Sequence, residues 1–409
     1  MAEPAAAESP ARRRYGPRAA FGLIVSRSFA PYFAGNALSA SGTWFQNLAA
    51  SILVFRLTGS ELLLGVLTFS QFAPMLFLAP WTGSAADRFD RRKLLLVTQP
   101  LAALLSALLA LVTALDLATA ALVIAFGLGQ GVVSAFSTPA QQALFVSLVR
   151  REDVTAAVGL NSMTFNIARV IGPATAAAVI GAFGIATAFA VNAVSYLVFV
   201  GALLIVRPRR QERPESSRLR DSLVFLRREP RLAVALIVVM AVGFASDPIN
   251  TLAPAFAHEF DRPDTFSGYI IGIFGAGAVT AAFALAGREP ERRRTIMTLC
   301  LLVGGVIAFS LSPFLALGFV FLFVAGFGYL GSNASATSFL QLGVGEAQRG
   351  RIMALWSIAF LGLRPFASLV DGAIASAFGV RVAGIVLALP ALGAAVLLAR
   401  LPPPPRPSP

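Results

Sequence analysis

The stretch "GSAADRFDRRK", Gly83 to Lys93, sets Asp87, Arg88, Asp90, Arg91, Arg92 and Lys93 side by side between two long apolar runs. Such a charge cluster is out of keeping with its surroundings. The 409 residues are 57% hydrophobic and 13% charged, with a mean hydropathy of +0.76, whereas a soluble domain carries about 25% charged residues. Apolar segments of about twenty residues, enough to cross about 30 Å of hydrocarbon as helix, recur on both sides of the cluster. They are too long and too evenly apolar for barrel strands, so the chain reads as an all-α integral membrane protein.

Twelve spans are expected, at about 29–57, 61–86, 93–114, 118–148, 155–182, 185–206, 231–258, 267–287, 294–312, 315–344, 352–378 and 381–401. An even number places both termini on one side. The termini and the loops on their side hold twenty-eight of the thirty-three basic residues. The opposite loops hold Arg56, Arg262 and Arg381, and the span interiors hold Arg169 and Arg364. The positive-inside rule then makes both termini cytoplasmic, in a multi-pass membrane protein. The net charge of +13 is mostly this topology signal facing anionic lipid, which argues against a nucleic-acid partner. The first eighteen residues lack an apolar core, so no removable signal peptide is expected.

Other chemistries are excluded by scarcity. One cysteine, Cys300, and one histidine, His258, leave no disulfide framework, no metal site and no Cys/His nucleophile. Lys93 is the only lysine and does not sit in a Gly-Lys-Ser/Thr phosphate loop. No cofactor and no enzymatic activity are expected. "GAG" at 275–277 reads as helix packing, since no strand precedes it.

The chain divides into an N-terminal tail (1–28), a six-helix bundle (29–206), a basic linker (207–230), a second six-helix bundle (231–401) and a Pro-rich tail (402–409). In the linker Leu219, Leu223 and Leu226 recur at helical spacing among arginines, which suits a helix lying in the membrane interface and equally a solvated linker. A weak repeat relates the halves: "IGPATAAAVIGAFG" (171–184) and "LRPFASLVDGAIASAFG" (363–379) both carry a mid-span proline and end in Ala-Phe-Gly, and "ADRFDRRK" is echoed by "GREPERRR" (287–294). Duplicated bundles with a site between them suit alternating access.

Gly83-x-x-x-Asp87-Arg88-x-x-Arg91-Arg92, between the second and third spans of a 6+6 chain, resembles the signature loop of the major facilitator superfamily. The resemblance implies a fold of two pseudo-symmetric six-helix bundles, a monomer, and a small-molecule substrate moved by alternating access. It also implies a latch: Asp87 facing a helix N-terminus of the other half, arginines pairing across the cytoplasmic closure, and Gly83 permitting close approach. Gly159, Ala168, Gly172-Pro173 and Ala176-Ala177 in the fifth span resemble the antiporter motif, with alanine at three glycine positions, and mark the interface between halves. "FQNLAASILVFRLTGSELLLGVL" (45–67), "NIARVIGPA" (166–174) and "RGRIMALW" (349–356) are similar to the branch of the enterobactin exporter and macrolide-efflux proteins. The fourth span carries "GLGQG" (127–131) where drug antiporters often have Arg-x-x-Gln-Gly, so any proton coupling needs another ionisable group.

Ionisable groups in hydrocarbon cost on the order of 3 kcal/mol each, which makes Arg169, Asp247, Arg364 and Asp371 functional candidates. Their charges sum to zero, as pairing in one shared space requires. Arg364 and Asp371 stand two helical turns apart, about 10 Å, too far to pair directly. Asp247 is the expected proton site: burial favours its neutral form, and Arg364, reached in one conformation and released in another, favours its charged form. A permanent Asp247–Arg364 bridge is the alternative, and Asp371 has the same two readings. Arg169 is expected to tie the halves. His258, beside Glu259, Asp261 and Asp264, reads as a solvated rim residue. Asn36, Trp44, Gln46, Asn47, Gln130, Asn250 and Asn333 form the pool for substrate contact.

The function expected is a proton-exchanging exporter of an amphipathic organic compound such as a siderophore, macrolide or other drug. The rivals are an uptake symporter or facilitator for a small metabolite or lipid, and a membrane enzyme or sensor.

Overall fold

The computed structural model describes residues 22–26, 29–150, 153–206, 208 and 229–401. The N-terminal tail, almost all of the linker with its Leu219/Leu223/Leu226 pattern, and the Pro-rich tail lie outside the described residues. Nine described helices are long and apolar enough to cross a membrane. With the first, second and fifth they make twelve stretches where the sequence places them.

The N-terminal half runs Ala30–Thr58, then Glu61–Phe77 continued by Ala79–Arg88, Arg91–Ala114, Ala120–Ser147, Val154–Phe183 and Ile185–Ile205. The C-terminal half runs Pro230–Thr251 continued by Ala253–Glu259, then Ser267–Ala284, Arg292–Ser310, Leu315–Leu342, Glu346–Ser357 continued by Arg364–Phe378, and Val380–Arg400. The three interrupted spans (two, seven and eleven) break where a proline opens the second piece: Pro80, Pro254 and Pro365. Proline supplies no N–H to the turn before it, so it is tolerated at a helix start and breaks a continuous ladder. In span eleven the break is wider, a π-turn over Ile358–Gly362.

The repeated Ala-Phe-Gly has a physical reading. Gly184 (φ 87°, ψ 168°) and Gly379 (φ 92°, ψ 155°) are single-residue joints between spans five and six and spans eleven and twelve. That backbone region is essentially restricted to glycine, which turns the chain directly into the next helix.

The charged cluster at 83–93 is tied down within its own bundle. Asp90 caps span three, accepting from the Lys93 N–H at 2.9 Å. Arg92 donates to the carbonyls of Leu203 (2.6 Å) and Leu204 (2.7 Å) at the end of span six, and Arg91 donates to Ala143 in span four. The last carbonyls of a helix lack intrahelical partners and carry the negative dipole end, so a guanidinium there is doubly favourable. Arg292, at the start of span nine, does the same for span twelve, bonding the carbonyls of Leu401 (2.7 Å) and Ala399. The bonds shown for Arg91 and Arg92 stay in the N-terminal half, so the pairing expected across a closed loop side is not made in this conformation. Arg92→Ala is expected to cost about 1–2 kcal/mol, measured as thermal unfolding of the purified protein. An unchanged transition would remove the clamp from the account.

Candidate functional site

The site lies where the halves meet, and its shape follows from which ends touch. On the side opposite the 83–93 loop the halves are shut. Ser368 Oγ in span eleven donates to the Gly65 carbonyl in span two at 3.3 Å. A Cβ on Gly65 would strike the Ser368 carbonyl, and one on Gly372 would come within 2.8 Å of the Glu61 carbonyl. Spans five and eight close in the same way, with Gly268 against the Pro173 carbonyl and Ala177, and Gly275 against Val170. Arg56 and Asp264 make a two-pronged ion pair across this rim, Nη2 to Oδ1 at 2.8 Å, and His258 meets the Phe55 ring edge-on at 5.9 Å. His258 is an exposed rim residue, as expected.

On the loop side Leu76 still packs near Gly362, but the helix pieces nearest the loop do not pack on each other among the described residues. The pieces Ala79–Arg88 and Glu346–Ser357 pack chiefly on their own bundles. A Cβ on Gly83 or on Gly159 would meet nothing within 4 Å. The close approach expected at Gly83 is thus not made in this conformation, and Arg88 is exposed. The side chain of Asp87 lies outside what the structure describes. Gly172 packs on Trp44, with 2.7 Å from a built Cβ to the Trp44 Cβ, and the neighbouring Pro173 carbonyl faces span eight. This part of the fifth-span motif does stand at the interface.

Between the shut rim and the open side lies a cavity of about 30 Å³, bounded by Trp44 and Asn47 of span one, Gln71 and Phe72 of span two, Asn250 of span seven and Arg364 of span eleven. That is room for about two waters. Of the seven residues in the substrate pool, Trp44, Asn47 and Asn250 reach it. Gln46 and Gln130 do not, and this corrects the sequence reading. Gln46 Oε1 accepts from Ser106 Oγ (2.5 Å) and Asn192 Nδ2 (2.6 Å), while Gln130 Nε2 donates to Ser106 Oγ and the Ala102 carbonyl, both at 2.9 Å. This network sits inside the N-terminal bundle. Consecutive helical residues point about 100° apart, so Asn47 reaches the cavity and Gln46 the bundle interior. Asn36 donates to Asn161 within the same half at 3.3 Å, and the buried Asn333 on span ten is not among the lining residues. Gln71 and Phe72 were missed, although a glutamine in the apolar run "TFSQFAP" (68–74) is the same signal that selected Asn47.

The intramembrane charges divide between two places. Arg169 crosses from span five into the other half, where Nη1 donates to the Tyr329 hydroxyl at 2.8 Å and the guanidinium lies 4.4 Å from the Tyr329 ring centroid and 5.7 Å from that of Phe274. The other three gather in the C-terminal half. Arg364 Nε donates to Asp247 Oδ1 at 3.1 Å, its guanidinium stacks on Phe72 at 4.4 Å, and Thr251 donates to Asp247 Oδ2 at 3.1 Å. Asp371 is fully buried beside Asp247, and neither of its oxygens has a hydrogen-bond donor. Arg364 and Asp371 therefore do not pair with each other; both converge on Asp247. No group of three or more metal-ligating side chains occurs among the described residues.

Two six-helix bundles, shut at one end over a polar cavity with a buried ion pair in its wall, define a membrane transporter of the major facilitator type and not an enzyme. The family profile described as "Transmembrane secretion effector" matches residues 19–406, and the chain belongs to that family of the superfamily. It is 26% identical over 371 residues to the staphyloferrin A transporter of Staphylococcus aureus, covering 85% of this chain and 90% of the relative. Enterobactin exporter EntS of Escherichia coli is 26% identical over 328 residues, 75% of this chain and 78% of the relative. Macrolide efflux protein A of Streptococcus pyogenes is 24% identical over 239 residues, 57% and 59% of the two chains. Among solved structures, a bacterial homologue of the human lysosomal transporter Spinster, inward-facing and occupied, superposes with a TM-score of 0.74 at 15% identity, covering 94% of this chain and 98% of that one. The nucleoside transporter NupG gives 0.70 at 15% identity, covering 90% and 98%. At these identities the two structures speak for the fold.

Proposed function

We propose that this transporter exports amphipathic organic compounds across the bacterial inner membrane in exchange for protons, with the 83–93 loop and both termini in the cytoplasm. The open side is then the cytoplasmic one, and the structure is the inward-facing state. The relatives' names, for staphyloferrin A, enterobactin and macrolides, set the range of cargo.

The observation that carries the coupling is the cluster of Asp247, Asp371 and Arg364 at the cavity wall. It holds two acids and one base. Two carboxylates side by side in a buried site repel when both are charged, so one proton shared between them leaves the cluster neutral and supplies the donor that the Asp371 oxygens lack. A second proton, on Asp247, would dissolve its bridge to Arg364. Asp87 and Arg88 would act in the opposite state, latching the loop side when the rim opens. Gly159, Gly172 and Pro173 would form the surface on which spans five and eight slide.

The test is extrusion of siderophores, macrolides and dyes from cells with and without the protein, with and without a proton uncoupler. Extrusion that needs the protein and collapses with the uncoupler is expected. Protein-dependent accumulation inside the cells would reverse the direction, and extrusion indifferent to the uncoupler would remove proton exchange.

A further inference from the structure

Arg364 uses only part of its hydrogen-bonding capacity. Its Nε is engaged by Asp247, while no hydrogen bond is made by its two terminal nitrogens to described residues, and the side chain, 26% exposed, lines the cavity. A guanidinium carries five N–H donors in a planar fork, so four remain to face the space. Phe72 fixes the plane of the fork from below. The π-turn directly before Arg364 is what delivers this side chain at the start of a new helix piece. Across the cavity Asn250 is the complement: its Nδ2 donates to the Ser246 carbonyl at 2.8 Å, but its Oδ1 is buried with no donor. The cavity therefore offers a flat donor edge, and a turn of the Asn250 side chain, whose buried Oδ1 lacks a donor, would bring an unfilled acceptor to the same space.

We propose that this edge binds an uncharged oxygen acceptor of the cargo, a lactone, ester or amide carbonyl, while Asn250 Oδ1 accepts a hydroxyl or N–H of the same molecule. The proposal rests on the reading of the chain as a proton exchanger, and that reading decides the charge of the docking group. The charged neighbours of Asp247 are Arg364 and Asp371, both on span eleven. A carboxylate docking on Arg364 would compete with Asp247 for the same cation and add negative charge, so docking would draw a proton in. Cargo and proton would then travel together, the opposite of exchange. A carbonyl adds no charge. It binds best while Asp247 is ionised, because the Nε bridge then aims the fork into the cavity. A proton on Asp247 releases the fork, so cargo and proton exclude each other, as exchange requires.

The experiment uses the full chain in lipid nanodiscs with Trp81→Phe and Trp356→Phe, so that Trp44 in the cavity wall reports by energy transfer to a coumarin. The probes are methoxycoumarin carboxylic acid and its hydroxyethyl amide. The amide is expected to quench Trp44 saturably, to weaken as pH falls, and to lose affinity by about tenfold or more in Arg364→Lys, which keeps the charge and loses the fork. Asn250→Ala is expected to weaken the amide by a smaller factor, and Asp247→Asn to abolish the pH dependence. Tighter binding of the free acid, growing as pH falls, overturns the proposal, as does equal affinity in Arg364→Lys or absence of saturable quenching by the amide. In liposomes, failure of a pH gradient to move an amide that still binds through Arg364 would overturn proton exchange and leave the docking group standing.

Discussion

Asp247→Asn is expected to bring gradient-driven extrusion to background while the chain stays folded. On the proposed reading, the bridge from Arg364 Nε to Asp247 Oδ1, 3.1 Å long on an Asp247 side chain that is 1% exposed, is the contact that a proton would switch. An amide keeps the shape and cannot titrate. Asp247→Ala is expected to lose about 3 kcal/mol of stability as well, because removing one member of a buried pair leaves the other charge uncompensated. The double replacement Asp247→Asn with Arg364→Gln should recover most of that stability and none of the extrusion, since a neutral pair replaces an ionic one at little net cost. Asp371→Asn separates the shared-proton account from a single-acid account: equal loss of gradient dependence means that the two acids act as a unit. The measurements are thermal unfolding and uncoupler-sensitive efflux, side by side. Wild-type extrusion by Asp247→Asn would take the coupling site away from this cluster altogether.

The second large effect concerns the rim. Gly65→Val is expected to drive the halves apart on the side opposite the 83–93 loop, because a Cβ there runs into the Ser368 carbonyl, which is backbone and cannot swing aside. Moving a two-state equilibrium from nearly all closed to nearly all open takes about 5.5 kcal/mol, within reach of a buried backbone clash. The readout is labelling of a cysteine at Ser51, a cavity-lining position, by an impermeant maleimide added outside, with Cys300 replaced by serine. Gly65→Val should label and the parent should not. Gly83→Val serves as the counterpart: it meets nothing within 4 Å here, so this conformation should tolerate it, and if Gly83 latches the other state, adding it to Gly65→Val should lower the labelling of that variant. Unchanged labelling in Gly65→Val would show that the glycine contact does not hold the rim.

These two results draw on different depths of the sequence. The spans and their order are legible because hydrophobic length is a local property, and the twin Ala-Phe-Gly endings mark the twin joints at Gly184 and Gly379. The breaks are not, since Pro74, Pro100, Pro139, Pro173, Pro248 and Pro390 sit inside unbroken helices while Pro80, Pro254 and Pro365 open new ones. The Asp247–Arg364 pair is legible as a candidate because charged residues in hydrocarbon are few. What stays hidden depends on helix rotation and on distant packing. Gln46 and Asn47 are neighbours in sequence, yet one serves the bundle interior and the other the cavity. Helical rise correctly separates Asp371 from Arg364, but the place of Asp371 beside Asp247 requires the relative rotation of two spans far apart in the chain. Arg92 reads as a latch residue or a topology signal, and Arg292 as a topology signal, because nothing local shows that a carbonyl terminus from the far end of the same bundle lies within reach.

The count of two acids to one base in the C-terminal half has an electrical side. A fully ionised cluster carries one net negative charge, and a transmembrane voltage does work on such a charge when the half that bears it rocks, up to about 2.3 kcal/mol per 100 mV if it crosses the whole field. With one proton shared by Asp247 and Asp371 that work vanishes. On the proposed reading the singly protonated cluster would move no charge when the half rocks, and the return with a second proton on Asp247 would move one positive charge.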